Sequence, residues 1–259
     1  MLEITPLILT YNEAPNIERV LSRLTWAARI VVVDSFSTDE TEAICRRHPR
    51  VEFIQRKFDD HTAQWNFGLA QPKTEWTLSL DADYVLSDEL VAELKTLKPV
   101  EGVNAYFAPF RYCIYGRRLR GSLYPPRPVL FRQSRCNYVA DGHTQKLRIE
   151  GASGALASFI DHDDRKPLSH WLRAQDRYAA LEVKKLLEHD LNGLGFPDRL
   201  RRMIVPAPFL VFCYTLFAKG LIFEGWPGWY YVLQRTIAEI ILSLRLIEAR
   251  LGAKDGDGK

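Results

Sequence analysis

The chain has 259 residues, of which 47% are hydrophobic, and it carries a formal net charge of +3 at pH 7. This length is enough for one large α/β domain, or for a domain with an appendage, around a sizeable core. Because the net charge is small and basic residues are interleaved with acidic ones, we expect no nucleic-acid partner.

Up to about residue 100, short apolar runs alternate with helical patterns. The runs ITPLILTYN, RIVVVDS, VEFIQRK and EWTLSLDADY predict four strands, and the second is continuous enough to be buried on both faces. Helices are predicted over PNIERVLSRL from Pro15, STDETEAICRRH with Ser37 or Thr38 as N-cap, HTAQWNFGLAQ, and SDELVAELKTL capped by Ser87. This order predicts a parallel sheet with helices on both faces.

Polar residues follow the predicted strands at their carboxyl ends, which is where ligands bind in such sheets. They are Asn12, Glu13, Asp34, Ser35, Asp81 and Asp83. Asp81 and Asp83 form a D-x-D pair, whose charges repel each other and raise one pKa unless a cation lies beside them. The pair suits a hard divalent ion, Mg²⁺ or Mn²⁺, that also binds phosphate oxygens. An ordinary strand end with a loop cap is the alternative.

The pattern changes between residues 103 and 160. The segments NAYFAPFRYCIYG, PRPVLFRQS, TQKLRIEG and GALASFI predict shorter strands separated by Gly and Pro turns. We expect a mixed sheet here, with loops that cover the site. Residues 168–192 then predict one charged helix.

Four segments occur in an order and at a spacing that resemble a known family. LILTYNEAPNIERVL, IVVVDSFSTDET, QWNFGLA and WTLSLDADY are similar to inverting glycosyltransferases of family 2. Later pieces such as YGRRLRG and DGHTQKL resemble the subgroup that includes lipopolysaccharide core glucosyltransferases. The resemblance covers essentially the whole chain. It implies the GT-A fold, a Rossmann-like mixed sheet flanked by helices, and a nucleotide-sugar donor such as a UDP-hexose.

The resemblance also implies roles for the matched positions. The nucleotide-sugar site would include Tyr11, Asn12, Glu13, Asp34, Ser35, Gln64, Asn66 and Asp81. Asp83 would ligate the metal, and Tyr84 stands where many relatives have a third acid. Alternatives stay open for several positions: Asn12 as a turn former, Asp34 as a helix cap, and Gln64 with Asn66 as solvent-facing helix residues.

An inverting transfer needs a general base that deprotonates the acceptor hydroxyl. The family has a carboxylate on the acceptor side, and the best match is Asp141 in VADGHTQ, with His143 as a competing base or orienting partner. Many relatives have His-Glu here, which this chain lacks, and Asp141 as a turn residue is the alternative. A late histidine often joins the metal shell in GT-A enzymes, so His162 is the candidate third ligand, with a structural histidine as the alternative.

The loop YGRRLRG is basic and rich in Gly and Tyr. Its Arg117 and Arg120 could bind the donor diphosphate or anionic lipid headgroups, since a planar guanidinium group binds phosphate through paired hydrogen bonds. A solvated basic loop is the alternative.

The C-terminal third is unusually apolar. RLRRMIVPAPFLVFCYTLFAKGLIF approaches the ~20 residues of a spanning helix, but Pro206, Pro208 and Lys219 argue against a simple span. The Trp- and Tyr-rich EGWPGWYY follows the apolar part, and a basic cluster precedes it, namely Arg199, Arg201 and Arg202. The final helix, about 227–251, carries an apolar stripe of Leu233, Ile237, Ile240, Ile241, Leu244, Ile247 and Leu251. We interpret this region as a monotopic hairpin in the membrane interface. A buried cap, a dimer interface and a true span are the alternatives.

We therefore expect a GT-A catalytic domain over residues 1–165, with a nucleotide-binding half over 1–100 and an acceptor half over 101–165. A membrane-associating helical region over 166–252 and a disordered tail over 253–259 would follow. The N-terminus shows no signal-peptide pattern, and the four widely spaced cysteines predict reduced, buried thiols in a cytosolic chain. The expected location is the cytoplasmic face of the inner membrane.

The resulting hypothesis is a metal-dependent, inverting glycosyltransferase. It would move a hexose, with glucose from UDP-glucose as the first expectation, onto a membrane glycolipid such as lipopolysaccharide core. One alternative is a polyprenyl-phosphate glycosyltransferase, whose ionised phosphate acceptor needs no strong base. Another is a non-catalytic scaffold that binds a nucleotide sugar or a lipid, against which the intact D-x-D pair argues.

Overall fold

The computed structural model describes residues 2–141, 144–188 and 193–256. The chain divides into two compact units, Met1–Arg118 with Tyr124–Lys166, and Leu119–Leu123 with Pro167–Lys259. The main division thus falls one residue beyond the predicted end of the catalytic domain, and the short segment Leu119–Leu123 counts with the second unit. The assignment of a role to each part stays a prediction.

The first unit contains all the strands and four short helices. In chain order these are β1 (Ile4–Thr10), α1 (Ile17–Leu21), β2 (Ile30–Asp34), α2 (Thr41–Arg46), β3 (Val51–Gln55), α3 (His61–Leu69), β4 (Trp76–Asp81), β5 (Tyr84–Leu86), α4 (Asp88–Thr96), β6 (Val103–Ala108), β7 (Phe110–Ile114), β8 (Arg117–Arg118), β9 (Arg127–Arg132), β10 (Cys136–Asp141), β11 (Thr144–Ile149), β12 (Ala152–Ala155) and β13 (Ile160–His162), as far as the chain is described. The second unit is helical, with α5 (Leu168–Glu188), α6 (Phe196–Arg202), α7 (Pro206–Cys213) and α8 (Gly225–Gly256). A π-helical turn, Tyr214–Ala218, follows α7, and a 3₁₀ turn, Leu221–Glu224, precedes α8.

A seven-stranded sheet in the order β12-β6-β9-β4-β1-β2-β3 forms the centre of the first unit. The strands β4, β1, β2 and β3 run parallel, whereas β9 is antiparallel to β4 and to β6. β2 is buried along its whole length, because Val32 packs into one core cluster and Val31 and Val33 pack into another. The predicted α/β class, with a mixed sheet flanked by helices, is confirmed.

Of the four helix starts predicted before residue 100, two are correct and two are wrong. The third helix begins at His61, as predicted. Ser87 caps α4 as predicted, since its hydroxyl accepts a hydrogen bond from the Leu90 amide at 3.2 Å. The second helix begins at Thr41, not after Ser37 or Thr38, because residues 35–40 form a loop tied to the ends of β1 and β2. The first helix begins at Ile17, two residues after the predicted Pro15.

Two smaller sheets complete the first unit. β5, β13, β7 and β8 form a four-stranded sheet, and β10 pairs with β11 in an antiparallel hairpin. Within the small sheet, β13 is antiparallel to β5 and parallel to β7. The short strands predicted in NAYFAPFRYCIYG, PRPVLFRQS and TQKLRIEG are present. The predicted strand GALASFI is wrong in its middle, because residues 156–159 form the connection between β12 and β13.

The second unit has its own hydrophobic core. Six buried residues from α5, α8 and the segment before α6 form it: Ala179, Val183, Leu186, Leu194, Leu242 and Leu246. On the same side of α8, Glu239 is buried because Arg201 forms an ion pair with it at 2.8 Å. Arg201 is therefore occupied within the protein, although the sequence predicted it as part of a basic cluster at a membrane.

The apolar stripe predicted on the last helix faces outward except at Ile241, which packs against the core of the second unit. Its exposed members are Leu233, Ile237, Ile240, Leu244, Ile247 and Leu251. By length and composition, no single helix in the described ranges is long and apolar enough to cross a bilayer. One pair of helices, Pro206–Ala218 and Leu221–Leu251, is long and apolar enough when the two are taken together, but the pair is bent by 68°.

Candidate functional site

The parallel pairing of β4, β1 and β2 brings the predicted site residues to one edge of the main sheet. Leu9 pairs with Asp81, and Thr10 pairs with Asp34, so the three strands end level with one another. Asn12 and Glu13 follow β1 at the same edge. This is the edge at which parallel sheets bind ligands.

Asp34 is fully buried and organises the loop after β2. Its carboxylate accepts hydrogen bonds from the Thr10 hydroxyl at 2.7 Å and from the Ser37 amide and hydroxyl at 2.7 and 2.5 Å. Gln64, buried in α3, donates to the Ser35 hydroxyl at 3.1 Å. These contacts favour structural roles for Asp34 and Gln64, and contact with a nucleotide stays a prediction for both.

Asn12 forms the turn after β1. Its φ of 54° is in the left-handed region, which asparagine tolerates better than most residues. Its side-chain oxygen accepts from the Thr38 amide at 2.8 Å, and its own amide donates to the Ser37 hydroxyl at 2.8 Å. The neighbouring Tyr11 is half exposed at this edge, so its ring is accessible to a ligand.

Glu13 connects the end of β1 to the segment after β13. Its carboxylate accepts hydrogen bonds from the Lys166 ammonium group and from the Asn16 amide group. Burial raises the pKa of Glu13 to about 7, although the charge of Lys166 opposes the rise. The pair brings a titratable carboxylate and a cation to the edge of the sheet.

Asp83 and His162 form a hydrogen-bonded pair beside this edge. The His162 Nε2 lies 3.1 Å from the Asp83 Oδ2, and β13 is held there because His162 pairs with Tyr84 on β5. Burial acts to raise the pKa of Asp83, but the neighbouring His162 outweighs it and the pKa is lowered. Burial acts to lower the pKa of His162, but the charge of Asp83 and its hydrogen bond outweigh burial, and the pKa is raised. Both shifts favour an ionised carboxylate beside a protonated imidazole.

Asp81 has the opposite shift. Part of its surface faces solvent, yet the surrounding protein atoms desolvate the carboxyl group, and together with the charge of Asp83 they raise its pKa. A divalent cation would offset this repulsion, and two carboxylates supply the hard oxygen ligands that Mg²⁺ and Mn²⁺ prefer. The residues present therefore fit such an ion.

The predicted three-residue metal set is not assembled in the structure. Across residues 2–141, 144–188 and 193–256, no group of three or more His, Cys, Asp and Glu side chains is arranged to hold a metal. His162 instead bonds Asp83. A cation here would use one or two carboxylates together with ligand phosphate oxygens, which is a common arrangement for Mg²⁺.

Three residues predicted to bind the donor have other surroundings. Asn66 donates to the Tyr138 carbonyl and accepts from the Tyr138 amide, both at 2.9 Å. Arg120 belongs to the second unit, where it pairs with Glu224 at 3.3 Å. Arg117 lines a cleft in the small sheet. A donor contact stays a prediction for all three.

The predicted base lies at the end of a hairpin strand. Asp141 is the last residue of β10, and its backbone pairs with Thr144 on β11. His143 lies outside the described residues. The role of either residue in proton transfer stays a prediction.

Comparison with known proteins identifies the family. The model of the family described as "Glycosyl transferase family 2" matches residues 7–166, which is more than half of the chain. The chain belongs to glycosyl transferase family 2.

Two curated relatives of this family 2 chain are named "Uncharacterized glycosyltransferase". The protein from Rickettsia bellii is 32% identical over 107 residues, which cover 41% of this chain and 36% of that protein. The protein from Rickettsia felis is 31% identical over 109 residues, covering 42% of this chain and 38% of that protein. The chain thus spans well under half the length of these curated relatives.

The family 2 chain is also similar to a solved structure, the mannosyltransferase PcManGT from Pyrobaculum calidifontis in complex with GDP-Man and Mn²⁺. The TM-score is 0.53 and the identity 16%, over 95% of this chain and 87% of that one. A likeness at this identity shows the fold, and the predicted GT-A fold is confirmed.

An aromatic cluster around His162 was not predicted from the sequence of the family 2 chain. The rings of Tyr112, Tyr124 and Tyr84 are centred 4.8, 4.7 and 5.3 Å from the His162 ring, and the Tyr84 and Tyr124 hydroxyls are hydrogen bonded. Tyr124 lies 40 residues beyond Tyr84, outside any strand or helix, so no spacing indicates their contact. The only signal in the sequence was Tyr84 itself, in place of an acid.

Proposed function

We propose that this family 2 chain is a metal-dependent glycosyltransferase that transfers a hexose from a nucleotide sugar. The observation that carries the proposal is the position of Asp81 and Asp83 at the ligand-binding edge of the sheet, with His162 bonded to Asp83. Family membership supports the reaction class. The shared fold with a mannosyltransferase solved with GDP-Man and Mn²⁺ supports a nucleotide-sugar donor and a divalent cation.

In this proposal Asp81 and Asp83 hold Mg²⁺ or Mn²⁺. The bound cation would supply positive charge that stabilises the leaving diphosphate. His162 keeps the Asp83 carboxylate ionised and fixes its direction through the 3.1 Å hydrogen bond. Asp83 can therefore present a charged oxygen in a buried position without leaving that charge unpaired.

The proposed transfer inverts the anomeric centre, with Asp141 as the general base. The acceptor oxygen attacks the anomeric carbon, and the base accepts the proton of the acceptor hydroxyl. The diphosphate leaves from the opposite side of that carbon. The resemblance of VADGHTQ to the family pattern supports Asp141. His143 is the competing base in the same segment.

We propose UDP-glucose as the donor and a membrane glycolipid, such as lipopolysaccharide core, as the acceptor. The protein would lie on the cytoplasmic face of the inner membrane as a monotopic enzyme. The exposed apolar side chains of the second unit support this location, because soluble proteins rarely expose so many together. Phe209, Phe223 and Trp226 are 68%, 85% and 55% exposed.

The test of the metal site is the substitution Asp83→Asn. With Mn²⁺ present, the release of UDP from UDP-glucose should fall at least about 100-fold, because charge stabilisation by a bound cation is worth several kcal/mol. The matched control is Asp88→Asn, which changes a side chain that is 81% exposed and should retain the wild-type rate. Unchanged turnover in the double variant Asp81→Ala, Asp83→Ala would overturn the proposal.

Two further measurements separate the proposal from its alternatives. A non-catalytic scaffold would bind UDP-glucose without releasing UDP. A polyprenyl-phosphate acceptor needs no strong base, so Asp141→Asn would leave turnover intact. Loss of turnover with donor binding retained would favour a hydroxyl acceptor.

A further inference from the structure

The four-stranded sheet of β5, β13, β7 and β8 has two different faces, because side chains alternate along a strand. On one face, Tyr112 and His162 belong to the aromatic cluster beside Asp83. On the other face, Cys113 and Asp161 line a cleft of about 480 Å³. This volume is in the range of small-molecule sites, roughly 300–1,000 Å³. The strand register therefore directs His162 and Asp161 to opposite faces of this sheet.

Arginine dominates the lining of this cleft. The five guanidinium groups belong to Arg19, Arg23, Arg117, Arg118 and Arg165. The acidic residues in the lining are Asp161 and Asp163, which leaves an excess of three positive charges. A cleft with one sign of excess charge concentrates ligands of the opposite charge.

The two aspartates orient the arginines before any ligand binds. Asp163, whose side chain is 5% exposed, bonds Arg19 at 2.7 Å and Arg165 at 2.9 Å. Asp161 bonds Arg118 at 2.9 Å. Because the guanidinium groups are already held in place, ligand binding costs less side-chain conformational entropy.

Guanidinium donors are left over after these bonds. Arg118 and Arg165 each direct Nε and Nη2 to a single aspartate oxygen, so the Nη1 group of each remains for another acceptor. Arg117 is exposed, and its side chain makes no hydrogen bond or ion pair with any residue that the structure describes. The cleft therefore combines fixed and available donors with net positive charge.

We propose that this cleft binds the phosphoryl group of a ligand other than the nucleotide sugar, in place of the donor contact predicted for Arg117. The guanidinium fork matches pairs of phosphate oxygens. An excess of three charges favours a phosphate monoester, which carries about two negative charges, over a carboxylate with one. The described residues that line the cleft include no aromatic ring on which a base could stack, which disfavours a nucleotide.

The test is a calorimetric titration of the full chain with inorganic phosphate, at constant ionic strength and without divalent cations. Saturable binding is expected, and Arg117→Glu should weaken it at least about tenfold by removing charge-assisted hydrogen bonds and adding a like charge. The matched control is Arg148→Glu, an exposed arginine on β11 outside the cleft, which should retain wild-type affinity. Thermal unfolding without phosphate checks that both variants are folded.

A competition experiment distinguishes this cleft from the donor site. Phosphate affinity should be unchanged with saturating UDP and Mg²⁺, whereas displacement of phosphate by UDP would overturn the proposal. Absence of saturable phosphate binding, or equal loss in both variants, would also overturn it. If UDP itself fails to bind, the proposed function is contradicted while the phosphate result stands.

Vesicles identify the source of the phosphoryl group. If Arg117→Glu lowers binding to vesicles that contain phosphatidic acid but not to vesicles of phosphatidylcholine alone, the phosphoryl group belongs to a lipid headgroup. If the substitution affects inorganic phosphate alone, the ligand is a soluble phosphate ester. Both results support the cleft as a phosphoryl site, and no effect on either ligand contradicts it.

Discussion

Glu13 is the residue through which pH acts most directly on stability. Its largely buried carboxylate has a pKa of about 7 in the folded state, against 4.5 for an ordinary glutamate. Between those two pH values, the folded state binds a proton that the unfolded state has lost. Linkage therefore requires the free energy of unfolding to fall as the pH rises through this window.

The substitution Glu13→Gln should remove this dependence. Below the unfolded pKa of 4.5 both states are protonated, and above about 7 both are ionised with the full penalty present. That penalty amounts to ~3 kcal/mol, from about 1.4 kcal/mol per pKa unit. The free energy of unfolding of the variant minus that of wild type should be larger at pH 8 than at pH 5, as measured by urea unfolding. A difference that is equal at both pH values would contradict a raised pKa.

At the scale of elements, the hairpin of β10 and β11 depends on a helix far away in sequence. Asn66, on α3, bonds both the amide and the carbonyl of Tyr138 at 2.9 Å, across 72 residues. The Tyr138 ring also stacks on Trp65, with centroids 5.2 Å apart. Since Asp141 ends the same strand, we infer that Asn66 is a positioning residue for the hairpin.

Replacing Asn66 with alanine should destabilise the hairpin more than the rest of the first unit. The change leaves two backbone groups of Tyr138 without partners, at a cost of about 2 kcal/mol in the free energy of unfolding. The readouts are urea unfolding and hydrogen exchange at the Tyr138 amide, which should become faster.

The matched control is Gln71→Ala. The Gln71 side chain donates a single hydrogen bond, to the Phe67 carbonyl at 3.0 Å. Losing that bond should cost less free energy of unfolding and leave hydrogen exchange at Tyr138 unchanged. Equal exchange rates at Tyr138 in wild type and the Asn66 variant would show that the hairpin does not depend on Asn66.

At the scale of the whole molecule, the two units differ in their exposed surfaces. The second unit exposes large apolar side chains along α7, the turns after it and the outer stripe of α8. In water such a surface is costly, and it is typical of proteins that bind a membrane or another protein. The proposed occupant is the lipid bilayer.

The double substitution Phe209→Ser, Phe223→Ser should reduce binding to vesicles that contain phosphatidylglycerol. Burying each ring contributes roughly 1.5–3 kcal/mol, so losing both should weaken partitioning about 100-fold or more. A flotation assay of the full chain, without detergent, measures the effect. Phe58→Ser, at an exposed phenylalanine of the first unit, is the matched control and should float like wild type. A wild-type chain that does not float contradicts the membrane proposal.

The sequence by itself determined the fold of the first unit and the edge at which the candidate site lies. The alternation of apolar runs and helical patterns predicted β1 to β4, and their parallel order placed Asp34 and Asp81 at one edge. These inferences succeeded because periodicity and chain order act over short distances along the chain.

Only the tertiary structure decided which partners the polar side chains have. Asp83 is hydrogen bonded to His162, 79 residues away, and Asn66 is hydrogen bonded to Tyr138, 72 residues away. No spacing in the sequence indicates either contact. The structure also decided that α8 buries Leu242 and Leu246 and exposes the predicted stripe except for Ile241. Apolar residues occur on both sides of that helix, so the period alone cannot select the side that packs. That choice depends on long-range packing and ion pairs, which local patterns do not encode.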